Sequence, residues 1–390
     1  MDAAELREAM VARLRERQEI GDDVAGALLA VPRHVFLPEV DPECAYQDEP
    51  VVTHRDAEGR PISSSSQPSI MATMLGQLGV EPGHRVLEIG AGTGYNAALL
   101  AFLAGPEGRV VSLDLDAGIV EAARRHLDAA GFPRVEVACA DGAEGFAARA
   151  PYDRVIATVG VWDLAPAWLD QLAPGGRLVA PLDLRGVQAS VAMERDGDHW
   201  VSRTVAACGF MRMRGPSGGP ESLVMLRRDP DLWLALPAAR DLGDLLAALG
   251  TEPTELAAGL PLPAGATGME VALWLALHEP RWCMLGGKRG AGYGVTAGLA
   301  ERDAIAVLGV TADFPAAQDP GRAAGSLVAQ GYGPGGAELA AELVAHVRAW
   351  DAAGRPETGD LRVAAYRGPA PGGAGLVIPK RHTNLVLTYR

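Results

Sequence analysis

The sequence predicts an α/β fold: a parallel sheet flanked by helices, with an N-terminal helical lid before it and a C-terminal α+β domain after it. Three observations carry this prediction. From about residue 67 to residue 226, helical stretches alternate with the short apolar runs RVLEIG, RVVSLDL, RVEVACAD, YDRVIATV and GRLVAPL. Such runs are the mark of strands buried on both faces of a parallel sheet. Closely spaced glycines follow the first run directly, where a strand would turn into a helix. The length, 390 residues, exceeds what one core usually organises, roughly 100–200 residues.

The elements follow in order. Residues 1–62 hold a charged, helix-periodic start, the proline-punctuated VPRHVFLPEVDP and a charged loop at His54, Arg55 and Asp56. This part is expected to lie over the site as a lid. Residues 63–230 form the sheet domain. Residues 231–265 end in the Pro/Gly-rich PTELAAGLPLPAGATG stretch and are expected as a linker. Residues 266–390 are expected as a separate α+β unit. Its strands would be MEVALWLALH, AIAVLGVTA, LRVAAYR and NLVLTYR, and its helix GAELAAELVAHVRAWDAAG, with Leu339, Leu343, Val347 and Trp350 on one face. The basic residues Lys288, Arg289, Lys380, Arg381 and His382 are expected as solvated charge at loop ends, and Arg33, His34, His54 and Arg55 as scattered surface charge rather than a peptide cradle.

Composition excludes several classes. A net charge of −14 opposes general binding to nucleic acid or anionic membrane. The cysteines, Cys44, Cys139, Cys208 and Cys283, are scattered and form no CxxC pair, so neither a metal site nor a disulfide framework is expected, and a cytoplasmic setting is. No signal core and no run of eighteen apolar residues is present.

With 48 glycines in the chain, a glycine motif has to be judged by its context. In the stretch from Glu88 through Gly90, Ala91 and Gly92 to Gly94, Tyr95 stands where a dinucleotide fingerprint needs its last glycine, which argues against NAD. The E-x-G-x-G-x-G arrangement instead resembles class I methyltransferases, whose Rossmann-like sheet binds S-adenosyl-L-methionine. The next strand ends in Asp114-Leu115, about twenty residues on, where a carboxylate can accept from both ribose hydroxyls. The third ends in Asp141-Gly142, where a carboxylate can take the adenine amino group. Each acid alone also fits a solvated strand end or a helix cap.

Over roughly residues 1–230 the sequence resembles the protein-L-isoaspartate O-methyltransferase family. The matching pieces run in order: VPRHVFLPE, AYQDEP, SSSSQPSIMATML, VLEIGAGTGYNAALLA, SLDLD, ADGAEGF, and APYDRVIATV through LAPGGRLVAPL. The resemblance implies a peptide or protein carboxylate as acceptor, S-adenosyl-L-homocysteine as product, and Ser66 as the active-site serine, with Ser65 beside it. Read from the residues alone, Ser66 is equally a helix N-cap. Either way its expected role is orienting, because a carboxylate is already ionised at neutral pH and needs no general base. Three departures stand out: Ser69 after the proline, where the family usually has an aromatic or His; the loop Val159-Gly160-Val161-Trp162-Asp163; and the C-terminal module. They resemble a branch that esterifies an aspartate in modified precursor peptides of the lanthipeptide and graspetide kind, the ester then closing to a succinimide. Both loops are expected to face the acceptor, with Trp162 stacking on substrate or packing. The alternative is a repair enzyme acting on L-isoaspartyl residues.

Overall fold

The computed structural model describes residues 2–56, 59, 61–220, 223–262, 269–289, 292–311, 325–373 and 375–389. Residues 263–265 of the expected linker and Arg390 lie outside the described residues. Among the described residues the site is carried by a ten-stranded sheet. Its parallel half runs in space Glu136–Cys139, Arg109–Asp114, Arg85–Ile89, Tyr152–Ala157 and Leu172–Leu184. Each of the five apolar runs read from the sequence is one of these strands. The strand order reverses beside Arg85–Ile89, the point where an open α/β sheet leaves a crevice at its carboxyl ends.

Helix Tyr95–Ala104 is apolar on nearly all sides because it is enclosed, with Ala97, Ala98, Leu99 and Leu100 wholly buried. Helix Ala117–Ala129 is two-faced and starts at Asp116, whose carboxylate accepts from Gly118 N and Ile119 N. The N-terminal helix Ala3–Arg17 opens with a capping box between Asp2 and Glu5. Its Leu6, Met10, Val11 and Leu14 join the same core as the sheet, each burial worth about 1.5–3 kcal/mol. This segment is therefore part of the core.

The sheet continues in antiparallel fashion through Val187–Asp196 and His199–Ala207. Beyond these it takes in Leu361–Tyr366, Asn384–Tyr389 and Leu376–Pro379 from the end of the chain. The expected separate C-terminal unit, 266–390, is thus divided. Its last strands belong to the methyltransferase sheet, because apolar alternation in LRVAAYR and NLVLTYR suits any half-covered antiparallel edge, whichever sheet offers it. The second, seven-stranded antiparallel sheet recruits Leu223–Arg228, Asp231–Ala235 and Thr254–Leu262. The expected linker 231–265 therefore carries two strands and helix Leu245–Leu249. Helix Gly336–Ala352 covers this sheet with Leu339, Leu343, Val347 and Trp350, as its spacing predicts.

MEVALWLALH is not a strand. It forms a 3₁₀ turn, Met269–Val271, and helix Ala272–His278, wedged between the two sheets. Leu273 and Leu277 enter the core of the large sheet, while Leu275 and Ala276 enter that of the second. A helix buried on opposite faces loses its amphipathic signature and reads like a buried strand.

Candidate functional site

Strand Arg85–Ile89 turns at Gly90 into the loop that precedes helix Tyr95–Ala104. Gly90 has φ +100°, and a Cβ added there would lie 2.7 Å from Thr158 Oγ1 and 2.9 Å from Val159 Cγ1. Only glycine fits both the dihedral and the space. Gly90 N and Ala91 N donate to Leu113 O at 2.8 and 2.9 Å, and Gly92 N donates to Asp114 Oδ2 at 3.3 Å. The turn is thereby fastened to the neighbouring strand end. Gly94, the N-cap of the helix at φ +87°, sits against Ala123 and Leu127 and supports the turn from behind.

A cavity of about 480 Å³ opens over this turn. Asp114, Leu115, Asp141 and Gly142 line it together with Gly90, Ala91 and Gly92. Asp141 also caps the following 3₁₀ turn, accepting from Ala143 N at 3.0 Å, and buried Trp168 donates Nε1–H to Gly142 O at 2.7 Å. The two readings of Asp141, cap and cavity acid, are compatible. Leu115 is 49% exposed, an apolar side chain left at the cavity mouth.

Glu88 is placed differently from expectation. It is wholly buried and does not line the cavity. Its Oε1 accepts from Asn96 Nδ2 at 2.7 Å and its Oε2 from Ser112 Oγ at 2.5 Å. Glu88 is a strut joining the first two strands to the helix, and burial pushes its carboxyl up to about 7 against the pull of those two bonds.

The serine run lies across the glycine turn, since a Cβ on Gly92 would be 3.6 Å from Ser64 O. Hairpin Val51–Arg55 and Pro61–Ser65 presents it. Ser65 is 4% exposed, lines the cavity and has no hydrogen-bond partner for its Oγ. Ser66 follows, half-buried, also on the wall. It is not the N-cap: helix Pro68–Leu78 is preceded by Gln67, which makes no side-chain cap bond. The Ser69 amide at that helix start is taken by Asp48 Oδ1 at 2.9 Å and so is not open to an acceptor.

Sequence reasoning missed the opposite wall, residues 208–214. This strap leaves strand His199–Ala207 and crosses the crevice. Gly160 N donates to Met211 O and Met213 N to Gly160 O, both at 2.8 Å, while Gln188 clamps Phe210 through both amide ends at 2.8 and 3.1 Å. Arg212 and Arg214 are the cations among the cavity residues. Arg214 Nη2 reaches Asp114 Oδ1 at 3.5 Å. The signal available in sequence was the alternation Met211-Arg212-Met213-Arg214 after the last strand of the domain.

Trp162 does not line the cavity. It packs on Gly219 and lies beneath Lys380 Nζ at 5.1 Å and Arg381 Cζ at 6.0 Å. Lys380, expected as solvated, has a side chain 2% exposed and pairs with Asp183. Arg33 is no surface charge either; it is fully buried, donates to Ala45 O at 2.8 Å and stacks on Tyr95 at 5.2 Å. His54 and Arg55 sit on the hairpin away from the cavity.

The cavity suits a nucleoside-bearing cofactor. It has two carboxylates, Asp114 and Asp141, an apolar mouth, a glycine-rich turn with only small side chains, an unpartnered Ser65 hydroxyl and a volume in the range of small-molecule sites. Among the described residues no cluster of metal-ligating side chains occurs and no helix is long and apolar enough to cross a membrane. Sheet, glycine turn and strand-end acids define a class I S-adenosylmethionine-dependent methyltransferase.

The sequence model of the family described as Protein-L-isoaspartate(D-aspartate) O-methyltransferase matches residues 5–216. The chain belongs to that family and is a protein carboxyl methyltransferase. It is 38% identical over 218 residues to Protein-L-isoaspartate O-methyltransferase of Methanopyrus kandleri, covering 55% of this chain and 94% of the relative. The Thermotoga maritima protein of the same name is 40% identical over 167 residues, 43% of this chain and 52% of that protein. A solved structure of a protein-L-isoaspartate O-methyltransferase aligns with a TM-score of 0.53 and 25% identity, covering 92% of this chain and 96% of the other.

Proposed function

We propose that this chain esterifies the free carboxylate of L-isoaspartyl residues in damaged proteins, the repair reading. The observation that carries it is the reach of the solved isoaspartate methyltransferase, 92% of this chain, which extends over most of the C-terminal module. That module therefore does not set this chain apart from an isoaspartate methyltransferase. Trp162, in the loop that departs from the family pattern, packs against Gly219, Lys380 and Arg381 rather than facing a peptide acceptor.

When bound, S-adenosyl-L-methionine supplies an electrophilic sulfonium methyl group. Asp114 and Asp141 are assigned to its ribose hydroxyls and adenine amino group, with Leu115 and Gly142 against the base and Gly90–Gly92 against the methionine part. The acceptor enters as a carboxylate. Being already ionised, it would take the methyl group that the bound cofactor would supply without a proton having to move. The protein's task is to align and desolvate. Ser65 and Ser66 on one wall offer hydroxyls, and Arg212 and Arg214 on the other offer positive charge, which suits an anionic acceptor. The ester then closes to a succinimide by attack of the following backbone nitrogen, with methanol leaving. Four free cysteines fit a reducing, cytoplasmic setting.

The test is mass spectrometry of three peptides incubated with enzyme and S-adenosyl-L-methionine: an isoaspartyl peptide, its aspartyl twin and a ring-constrained aspartyl peptide. Preferential methylation of the isoaspartyl peptide is expected. Methyl transfer to the constrained peptide alone would overturn the repair reading in favour of tailoring. In the same assay Ser66→Ala is expected to lower turnover about ten-fold with cofactor affinity nearly unchanged; equal loss of both would refute an orienting role.

A further inference from the structure

A turn near the end of the chain, Lys380 to Thr383, holds both the strap and the loop 158–163 at the end of the crevice where Gly160 meets the strap. Asp183, at the carboxyl end of strand Leu172–Leu184, is 6% exposed. Lys380 Nζ donates to Asp183 O at 2.8 Å and approaches Oδ1 at 3.3 Å. On its other oxygen Asp183 accepts from Arg212 Nη2 of the strap at 3.0 Å. Two residues further on, His382 N donates to Asp163 Oδ2 at 2.5 Å and Thr383 Oγ1 to Asp163 Oδ1 at 2.6 Å. Asp163 closes the loop that begins at the cavity residues Thr158 and Val159. Strap and loop are thus tied to one segment more than 150 positions away.

The segment is itself held rigidly. Lys380 N donates to Thr383 O at 2.9 Å, closing the turn between strands Leu376–Pro379 and Asn384–Tyr389. These strands hydrogen-bond into the large sheet through Leu361–Tyr366. From the other side, the hairpin tip that carries Asp183 is seated on the second sheet, where Trp282 Nε1 donates to Arg185 O at 2.8 Å. Asp183 therefore stands where strap, C-terminal turn and second sheet meet. Gly160 and Gln188 hold the backbone of the strap, and Asp183 adds a hold on the side chain of Arg212 at the acceptor end. A displacement of about 1 Å is enough to spoil in-line transfer.

We propose that Lys380, through Asp183 and Arg212, and Thr383, through Asp163, are positioning residues that hold the acceptor side of the crevice in register with the cofactor side. The proposal rests on the assignment of an isoaspartyl acceptor. It gives the returning C-terminal strands a part in catalysis without placing any of their residues on the substrate.

The experiment uses the full chain carrying Lys380→Met, which keeps the aliphatic stem, Thr383→Val, which keeps the shape, Arg212→Gln, and the Lys380→Met/Arg212→Gln pair. Four quantities are read: KM and kcat for an isoaspartyl peptide, affinity for S-adenosyl-L-homocysteine by calorimetry, and unfolding temperature. Lys380→Met is expected to raise peptide KM about ten-fold with cofactor affinity within about two-fold, and Thr383→Val to raise it about three-fold. The double variant should be no worse than Arg212→Gln alone, since both act along one line of contacts. A lower unfolding temperature with unchanged KM, or effects of Lys380→Met and Arg212→Gln that multiply, would overturn the proposal. If Lys380→Met does not fold, unchanged KM in both Thr383→Val and Arg212→Gln overturns it. Should the wild type methylate only another peptide, the isoaspartyl reading fails by itself, and the same comparison is made with the peptide it does methylate. No turnover of any peptide overturns both.

Discussion

Glu88→Gln isolates a buried carboxyl that the fold keeps protonated well above its ordinary range. In the native protein its pKa is raised from 4.5 to about 7, chiefly by burial. A raised acid pKa means that the folded state holds a proton the unfolded chain has released. The contribution to stability is fully present below about pH 4.5 and is lost as pH rises through about 7. Worked through the linkage relation, the Glu88 contribution falls by about 2.5 kcal/mol between pH 5 and pH 8. Glutamine keeps the shape and removes the titration. Urea unfolding of both proteins at pH 5, 6, 7 and 8 measures the difference directly. The variant should lose about 2.5 kcal/mol less than the wild type over that interval. Parallel pH profiles would refute the reasoning and show that Asn96 and Ser112 hold Glu88 ionised. Because Asn96 lies in the helix that begins at the glycine turn, cofactor affinity should follow the same titration in the wild type and not in the variant.

Asp114→Asn should weaken cofactor binding by about ten- to a hundred-fold, the loss of charge-assisted bonds to the ribose, and calorimetry with S-adenosyl-L-homocysteine reads it. Gly90→Ala imposes an unfavourable dihedral, about 1–3 kcal/mol, and pushes a methyl group against Thr158 and Val159; both stability and cofactor affinity should drop, and an unchanged protein would refute the tight approach at that turn. Ser65→Ala removes a hydroxyl with no partner in the protein. Unfolding stability should therefore be unchanged or slightly higher while turnover falls, and loss of stability with full turnover would assign Ser65 to the scaffold.

The parts of the site legible in sequence are those whose signals are local. The glycine turn, the acids at two successive strand ends and the serine run each sit within a few residues of the element that displays them, so spacing alone places them. What escaped depends on chain segments meeting from afar. Glu88 looks like a cavity acid until the helix and neighbouring strand are seen to enclose it. Arg33 and Lys380 are charges that sequence assigns to the surface, and only tertiary packing buries them against Tyr95 and Asp183. The strap 208–214 shows only the short Met-Arg alternation at 211–214, and its path comes from Gly160 and Gln188 rather than from its own residues. Helix Ala272–His278 was misread for the opposite reason, an apolar surface on all sides.

The path of the chain through the large sheet has a consequence for any attempt to shorten this protein. The chain leaves the sheet at Ala207 and re-enters at Leu361, so the second sheet is an insertion rather than an appendage. Cutting the chain after its family-matching region would strip three strands and turn His199–Ala207 into a raw edge, with Val201 and Trp200 deprived of Ala364 and Ala365. Such an edge invites pairing with another copy and aggregation. A shortened form that keeps this edge covered has to retain the final thirty or so residues, and with them helix Ala272–His278, whose Leu273 and Leu277 fill the core of the large sheet.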